Sequence, residues 1–241
     1  MIASLPMYWR DENAEAWRDF WARMGPGLPD LTAPGEIADL GAHWTDPGLV
    51  LSMTCGLPFR AALRGRVRYV ATPDFGLGDG PGMYHSVCIA RPGWDGGAAL
   101  MAYNAADSQS GWAAQDDADP RNPRPAIRGT LCTGSHAGSL TAVAEGRADL
   151  AWIDAVTWRL LQRFVPGVAA QVAVIGRTGP VPGLPLICAL DRDPVPLRAA
   201  FAAACATLSP SETEALGGLR GIAVLDPARY LSLPIPAPPL H

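Results

Sequence analysis

Between Ala98 and Ile175 the chain alternates between short apolar runs and capped, helix-like segments, and this alternation limits the possible folds more than any other feature. Ala98 to Tyr103 is apolar, and a helix is expected to open near Ser108. Thr130-Leu131-Cys132-Thr133 reads as a strand, followed by helical sequence from Ser135 to the stop glycine Gly146. Asp149 to Ile153, Asp154 to Phe164 and Ala170 to Ile175 then read as strand, helix and strand. Strands linked in this way need crossover connections, so the pattern predicts an α/β fold built on a doubly wound, mostly parallel sheet.

Elsewhere the pattern is less regular. A helix is expected over about Asn13 to Met24, where Ala16, Trp17, Phe20, Trp21 and Met24 share one face. Leu49 to Met53, Val67 to Ala71, Met83 to Arg91 and Leu186 to Leu190 read as strands. Pro58 to Arg64, Pro196 to Leu208 and Pro210 to Glu214 read as helices, and the proline-rich end of the chain as an extended surface segment. Turn-forming sequence at Pro92–Gly97 and a stiff crossover at Pro180–Pro185 suggest two lobes. Residues 1–97 and 181–241 would form the first, with residues 98–180 inserted as the second and a hinge at the two crossings.

The composition narrows the function. In 241 residues with a net charge of −4, every basic residue is arginine, and the arginines are scattered. That speaks against a nucleic-acid face. The five cysteines are widely spaced, with no pairing or histidine cluster that would make a metal site, so neither metal nor cofactor is expected. The first residues lack a basic, apolar and cleavable leader, and no apolar run reaches spanning length. The expectation is a soluble chain, cytoplasmic as written, or periplasmic if the sequence is a trimmed mature form.

Polar residues gather just beyond the apolar strands of the inserted region. Ser108, Gln109 and Ser110 follow the first strand, and Ser135 and His136 open the helix after the second. Asp154 ends the third and is expected to cap the next helix. Free N–H donors at successive helix starts form a pocket suited to an anion. Tyr8 and Tyr84 could add an apolar wall with hydroxyls.

At these residues the sequence resembles the substrate-binding proteins of phosphonate, phosphite and phosphate ABC transporters. The resemblance is carried by Tyr84-His85-Ser86-Val87, Ser108-Gln109-Ser110-Gly111, Thr133-Gly134-Ser135-His136 with Ser139-Leu140, Ala148-Asp149-Leu150-Ala151 with Ile153-Asp154, and Pro182-Gly183-Leu184-Pro185. It implies a two-lobe, type II periplasmic-binding-protein-like fold with a ligand cleft that captures a small oxyanion by closing, with an ABC permease as possible partner. It also implies that Ser108, Gln109, Ser110 and His136 hold the anion, that Tyr8 and Tyr84 cover it, and that Asp154 acts as an acceptor.

Two alternatives stand beside this reading. One is an enzyme on the same scaffold, of the thiamine-pyrimidine type. A Schiff-base role there would need a lysine, and the chain has none. No catalytic Ser-His-Asp or Cys-His pairing is expected either, since Ser135 and His136 are adjacent and diverge on a helix. The other alternative is a binder of a carboxylate or sulfonate metabolite.

Overall fold

The computed structural model describes residues 1–116 and 125–239. Its strands are β1 (Ile2–Ser4), β2 (Leu49–Met53), β3 (Val67–Asp74), β4 (Met83–Tyr84), β5 (Ser86–Ala90), β6 (Ala99–Tyr103), β7 (Ile127–Cys132), β8 (Leu150–Asp154), β9 (Ala173–Arg177), β10 (Val181–Pro182), β11 (Leu186–Ala189) and β12 (Gly221–Ala223). The chain divides into two compact units. One comprises Met1–Met83 with Pro182–Leu233, and the other Tyr84–Val181 with the tail that begins at Pro234.

The first unit carries a five-stranded sheet in the order β1-β2-β11-β3-β12. β1 and β2 are parallel, whereas β11 runs antiparallel to both β2 and β3. Trp44, Leu49, Phe59, Leu63, Ile187 and Tyr230 pack one of its cores. Tyr230 is fixed through its hydroxyl, which donates to the Gly183 carbonyl at 2.8 Å and lies 2.5 Å from Thr72 Oγ1. Ser4 Oγ lies 2.8 Å from Ser52 Oγ and 2.9 Å from His43 Nε2, closing a small polar network at the end of β1.

In the second unit the sheet order is β7-β6-β8-β5-β9. β7, β6 and β8 are parallel, and β5 is antiparallel to its neighbours β8 and β9. The alternation of its strands is two-sided. Val87, Ile89, Ala102, Ala151 and Ile153 face the helices His136–Ala144 and Ala155–Phe164, with Leu140, Val143, Trp158 and Leu161 completing that core. Cys88, Ala90, Met101, Tyr103, Leu150 and Trp152 face the other way, against Trp112 and Ala114. A strand buried on both faces reads as a continuous apolar run, as these do. Among the described residues, none of the five cysteines is in a disulfide.

Three expectations need correction. The first lobe was expected to extend to residue 97, yet β5 is an inner strand of the second sheet, and Arg91 N donates to the Asp149 carbonyl at 3.0 Å. The Pro92–Gly97 segment is therefore a loop within the second unit, and the tail from Pro234 also belongs there. No α-helix opens at Ser108. Backbone bonds from Ser108 N to Ala105 O and from Trp112 N to Ser108 O form a turn, followed by a short 3-10 segment at Ala113–Gln115. Gly111, a poor helix former, sits in what would be the first helical turn. Finally, a short helix at Pro166–Ala169 occupies the approach to β9, which begins at Ala173 and not at Ala170.

Candidate functional site

The parallel strands β6, β7 and β8 end at one edge of the second sheet, at Tyr103, Cys132 and Asp154. The antiparallel β5 begins at that same edge, because Ser86 pairs with Asp154. Open α/β sheets bind ligands beyond the carboxyl ends of their strands.

After β6 the chain enters the turn that holds Ser108, Gln109 and Ser110, all buried. Ser108 Oγ accepts from Gly111 N at 2.9 Å and fixes the turn from within. Gly111 is tightly enclosed: a Cβ there would run into Asn104 Oδ1 and lie 3.2 Å from Ser108 Oγ.

After β7, Thr133 N and Oγ1 both donate to the Tyr103 carbonyl, at 2.9 and 3.0 Å, tying the two strand ends together. Thr133 Oγ1 also lies 2.7 Å from Ser139 Oγ, a contact that sequence reasoning did not assign. Gly134 takes a positive φ of 80°, which lets the chain reverse into the helix. Ser135 Oγ then accepts from Gly138 N at 3.0 Å, as an N-cap. Ser139 N is taken by the Ser135 carbonyl. Among the described residues, this leaves the N–H groups of His136 and Ala137 without a partner, at the positive end of the helix.

The turn and the helix meet. Ser110 Oγ is 2.8 Å from His136 Nε2. Burial pushes the His136 imidazole down to about 4, only partly opposed by the nearby Trp152 backbone, so the ring is neutral at pH 7. The linkage follows directly. Between about 6.5 and about 4 the unfolded chain binds the proton that the folded chain refuses, so stability falls as pH is lowered through that window. His136→Gln should flatten this part of a melting-temperature profile, by on the order of 1–3 kcal/mol at its lower end.

The remaining expected residues are placed as follows. Asp154 caps the helix Ala155–Phe164, its Oδ1 accepting from Val156 N at 2.8 Å and Thr157 N at 3.1 Å. Tyr84 is buried at the start of the second unit, two residues before the Ser86 N–Thr178 Oγ1 bond of 2.9 Å. Tyr8 belongs to the first unit, where its ring meets Phe75 edge-on at 4.8 Å. Trp112, which sequence reasoning passed over, is buried and packs on Tyr103 with ring centroids 5.1 Å apart. Its position directly after Ser110-Gly111 was the available signal.

An α/β chain of two units, with open amides, a hydroxyl and a neutral imidazole at the carboxyl edge of a mostly parallel sheet, has the type II periplasmic-binding-protein fold. The sequence profile of the phosphonate ABC-transporter periplasmic substrate-binding proteins matches residues 51–230, and the chain belongs to that family. No curated protein matches the sequence. Among solved structures, the chain is similar to a binding protein component of an ABC phosphonate transporter from Pseudomonas aeruginosa, with a TM-score of 0.71 and 17% identity over 96% of this chain and 82% of that one. It also resembles a Prochlorococcus marinus protein in complex with methylphosphonate, with a TM-score of 0.66 and 11% identity over 95% and 93% of the two chains. A Xanthomonas citri protein bound to chloride ion aligns with a TM-score of 0.64 and 16% identity over 95% and 94%. At these identities the likeness is one of fold.

Proposed function

We propose that this chain binds a small oxyanion of the phosphonate type at the carboxyl edge of the second sheet and releases it unchanged, as the receptor of an ABC transporter. The observation that carries the reading is the meeting of Ser110 with His136 at a helix start whose first amides are open. Hydrogen bonds to an ionised ligand are about twice as strong as neutral ones, and a helix start adds a favourable dipole. Ser108 and Ser135 hold the backbone of this surface through the bonds they accept from Gly111 N and Gly138 N, and Gln109 is buried next to Ser110 in the chain. The family sets the ligand class, and the Prochlorococcus marinus relative in complex with methylphosphonate makes that compound the first probe to use.

A Ser–His contact also invites the enzyme reading, and here the electrostatics argue for binding. A serine nucleophile needs a base with a pKa near the working pH and a third group to orient it. His136 is pushed down to about 4, which makes it a weak base, and its buried Nδ1 has no hydrogen-bond partner among the described residues to orient it. Among the described residues no carboxylate is hydrogen-bonded to the ring.

Calorimetry against methylphosphonate, phosphite, phosphate, aminoethylphosphonate and a sulfonate tests the proposal. At least one of the phosphorus oxyanions is expected to bind with saturation and without turnover, and silence across the panel would sink it. Ser110→Ala and His136→Ala are each expected to weaken the binding by about 1–3 kcal/mol, and the double variant by less than the sum, because the two side chains are one hydrogen-bonded unit. Unchanged affinity in both single variants would move the site elsewhere.

A further inference from the structure

The C-terminal tail leaves the helix Ala228–Leu231 of the first unit and from Pro234 belongs to the second. Its sequence is Pro234-Ile235-Pro236-Ala237-Pro238-Pro239, with proline at four of six positions. Such a segment is stiff and extended, with few N–H groups, so it interacts chiefly through its carbonyls and rings. One carbonyl is engaged: Trp112 Nε1 donates to Ala237 O at 2.7 Å. Pro239 is buried.

Trp112 is not an incidental anchor. Its own backbone N–H closes the turn on Ser108 O at 3.1 Å, and its ring packs on Tyr103, whose carbonyl receives both Thr133 bonds. The contact of the tail is therefore made two residues from Ser110, on the residue that ends the serine turn.

We infer that the proline-rich tail is a positioning element for the anion site: by fixing the Trp112 indole it holds the serine turn where Ser110 meets His136. Residues 234–239 thus set ligand affinity without touching the ligand. The inference rests on the binding role proposed above, and its test includes a measurement that does not depend on that role.

Two variants separate the possibilities. Ending the chain after Leu233 removes the tail, and Trp112→Phe keeps an aromatic ring on Tyr103 but removes the donor. Each is expected to weaken methylphosphonate binding about tenfold, the value of roughly one such hydrogen bond. Each should also speed amide exchange over residues 105–112, which is measured without ligand. Together they should cost no more than the tail deletion alone, because both remove the same bond. A peptide of the sequence of residues 234–239, added in excess, should restore affinity to the shortened chain but not to the one that also carries Trp112→Phe. Wild-type affinity and exchange in the shortened chain would overturn the inference, as would a lowered melting temperature with unchanged affinity, which would mark the tail as structural only. Failure of the intact protein to bind any oxyanion would count against the proposed function, while the exchange measurement would still decide whether the tail governs the turn.

Discussion

Gly111→Ala is expected to weaken methylphosphonate binding by about 2 kcal/mol or more while leaving the protein folded. A methyl group at this position runs into Asn104 Oδ1, so the Asn104 side chain must leave or the turn must move. The same methyl crowds Ser108 Oγ, whose bond to Gly111 N holds the turn together. Displacing oriented ligand groups by about 1 Å is enough to cost on the order of a hundredfold where geometry matters. Asn104→Ala in the Gly111→Ala background removes the obstructing atom and should recover most of the affinity. If calorimetry finds Gly111→Ala as tight as the parent, the turn is not the rigid half of the site.

The second large effect lies at the opposite edge of the same sheet. Asp149 is buried, and its carboxylate accepts from Leu100 N at 2.8 Å, Arg91 Nε at 2.8 Å and Arg128 Nη2 at 3.0 Å. One side chain thereby joins the chain just after β5, the start of β6, β7 and the approach to β8. The Leu100 amide first, then the Arg91 guanidinium, hold its pKa below the usual 3.8. Asp149→Ala leaves the half-buried Leu100 amide without its acceptor and is expected to cost about 2 kcal/mol, moderated by the exposure of both arginines. Because the carboxylate pKa is lowered on folding, its contribution is fully present above 3.8 and lost as pH falls through the folded value. The variant should therefore lose the steepest acid limb of the stability profile, below the window that belongs to His136. Chemical denaturation at pH 7 and below 4 measures both effects. Equal losses at the two pH values would mean that the carboxylate charge is not what matters.

Much of the fold was legible because its signals are local. Leu49–Met53 is a strand with the expected bounds, and the helix Ala155–Phe164 begins after the aspartate that caps it. The meeting of the serine turn with His136 was legible only in outline, since 26 residues separate the partners and no local pattern reports the contact. Ser110 and His136 are expected to share one anion, but along the chain the serine beside His136 is Ser135, and only the fold brings Ser110 into hydrogen-bond contact with the ring. The unit boundary was misplaced because Pro92 and Gly97 look the same in a loop between strands as in a linker. Membership of β5 in the second sheet depends on pairing with β8 and β9, both far along the chain. The tail gave a correct local reading as an extended segment, but its attachment to Trp112 spans 125 residues and could not be read from composition.

The neutrality of His136 has one more consequence. An uncharged imidazole has one N–H and one lone pair, and a hydroxyl likewise has both, so the Ser110–His136 contact can run in either direction. With the ring hydrogen on Nε2, serine is left to donate outward; with it on Nδ1, serine donates inward and turns an oxygen lone pair to the visitor. If the proposed binding role holds, the same two atoms can greet a bare oxygen or a protonated one, and a guest that gains or loses a single hydrogen need not be expelled.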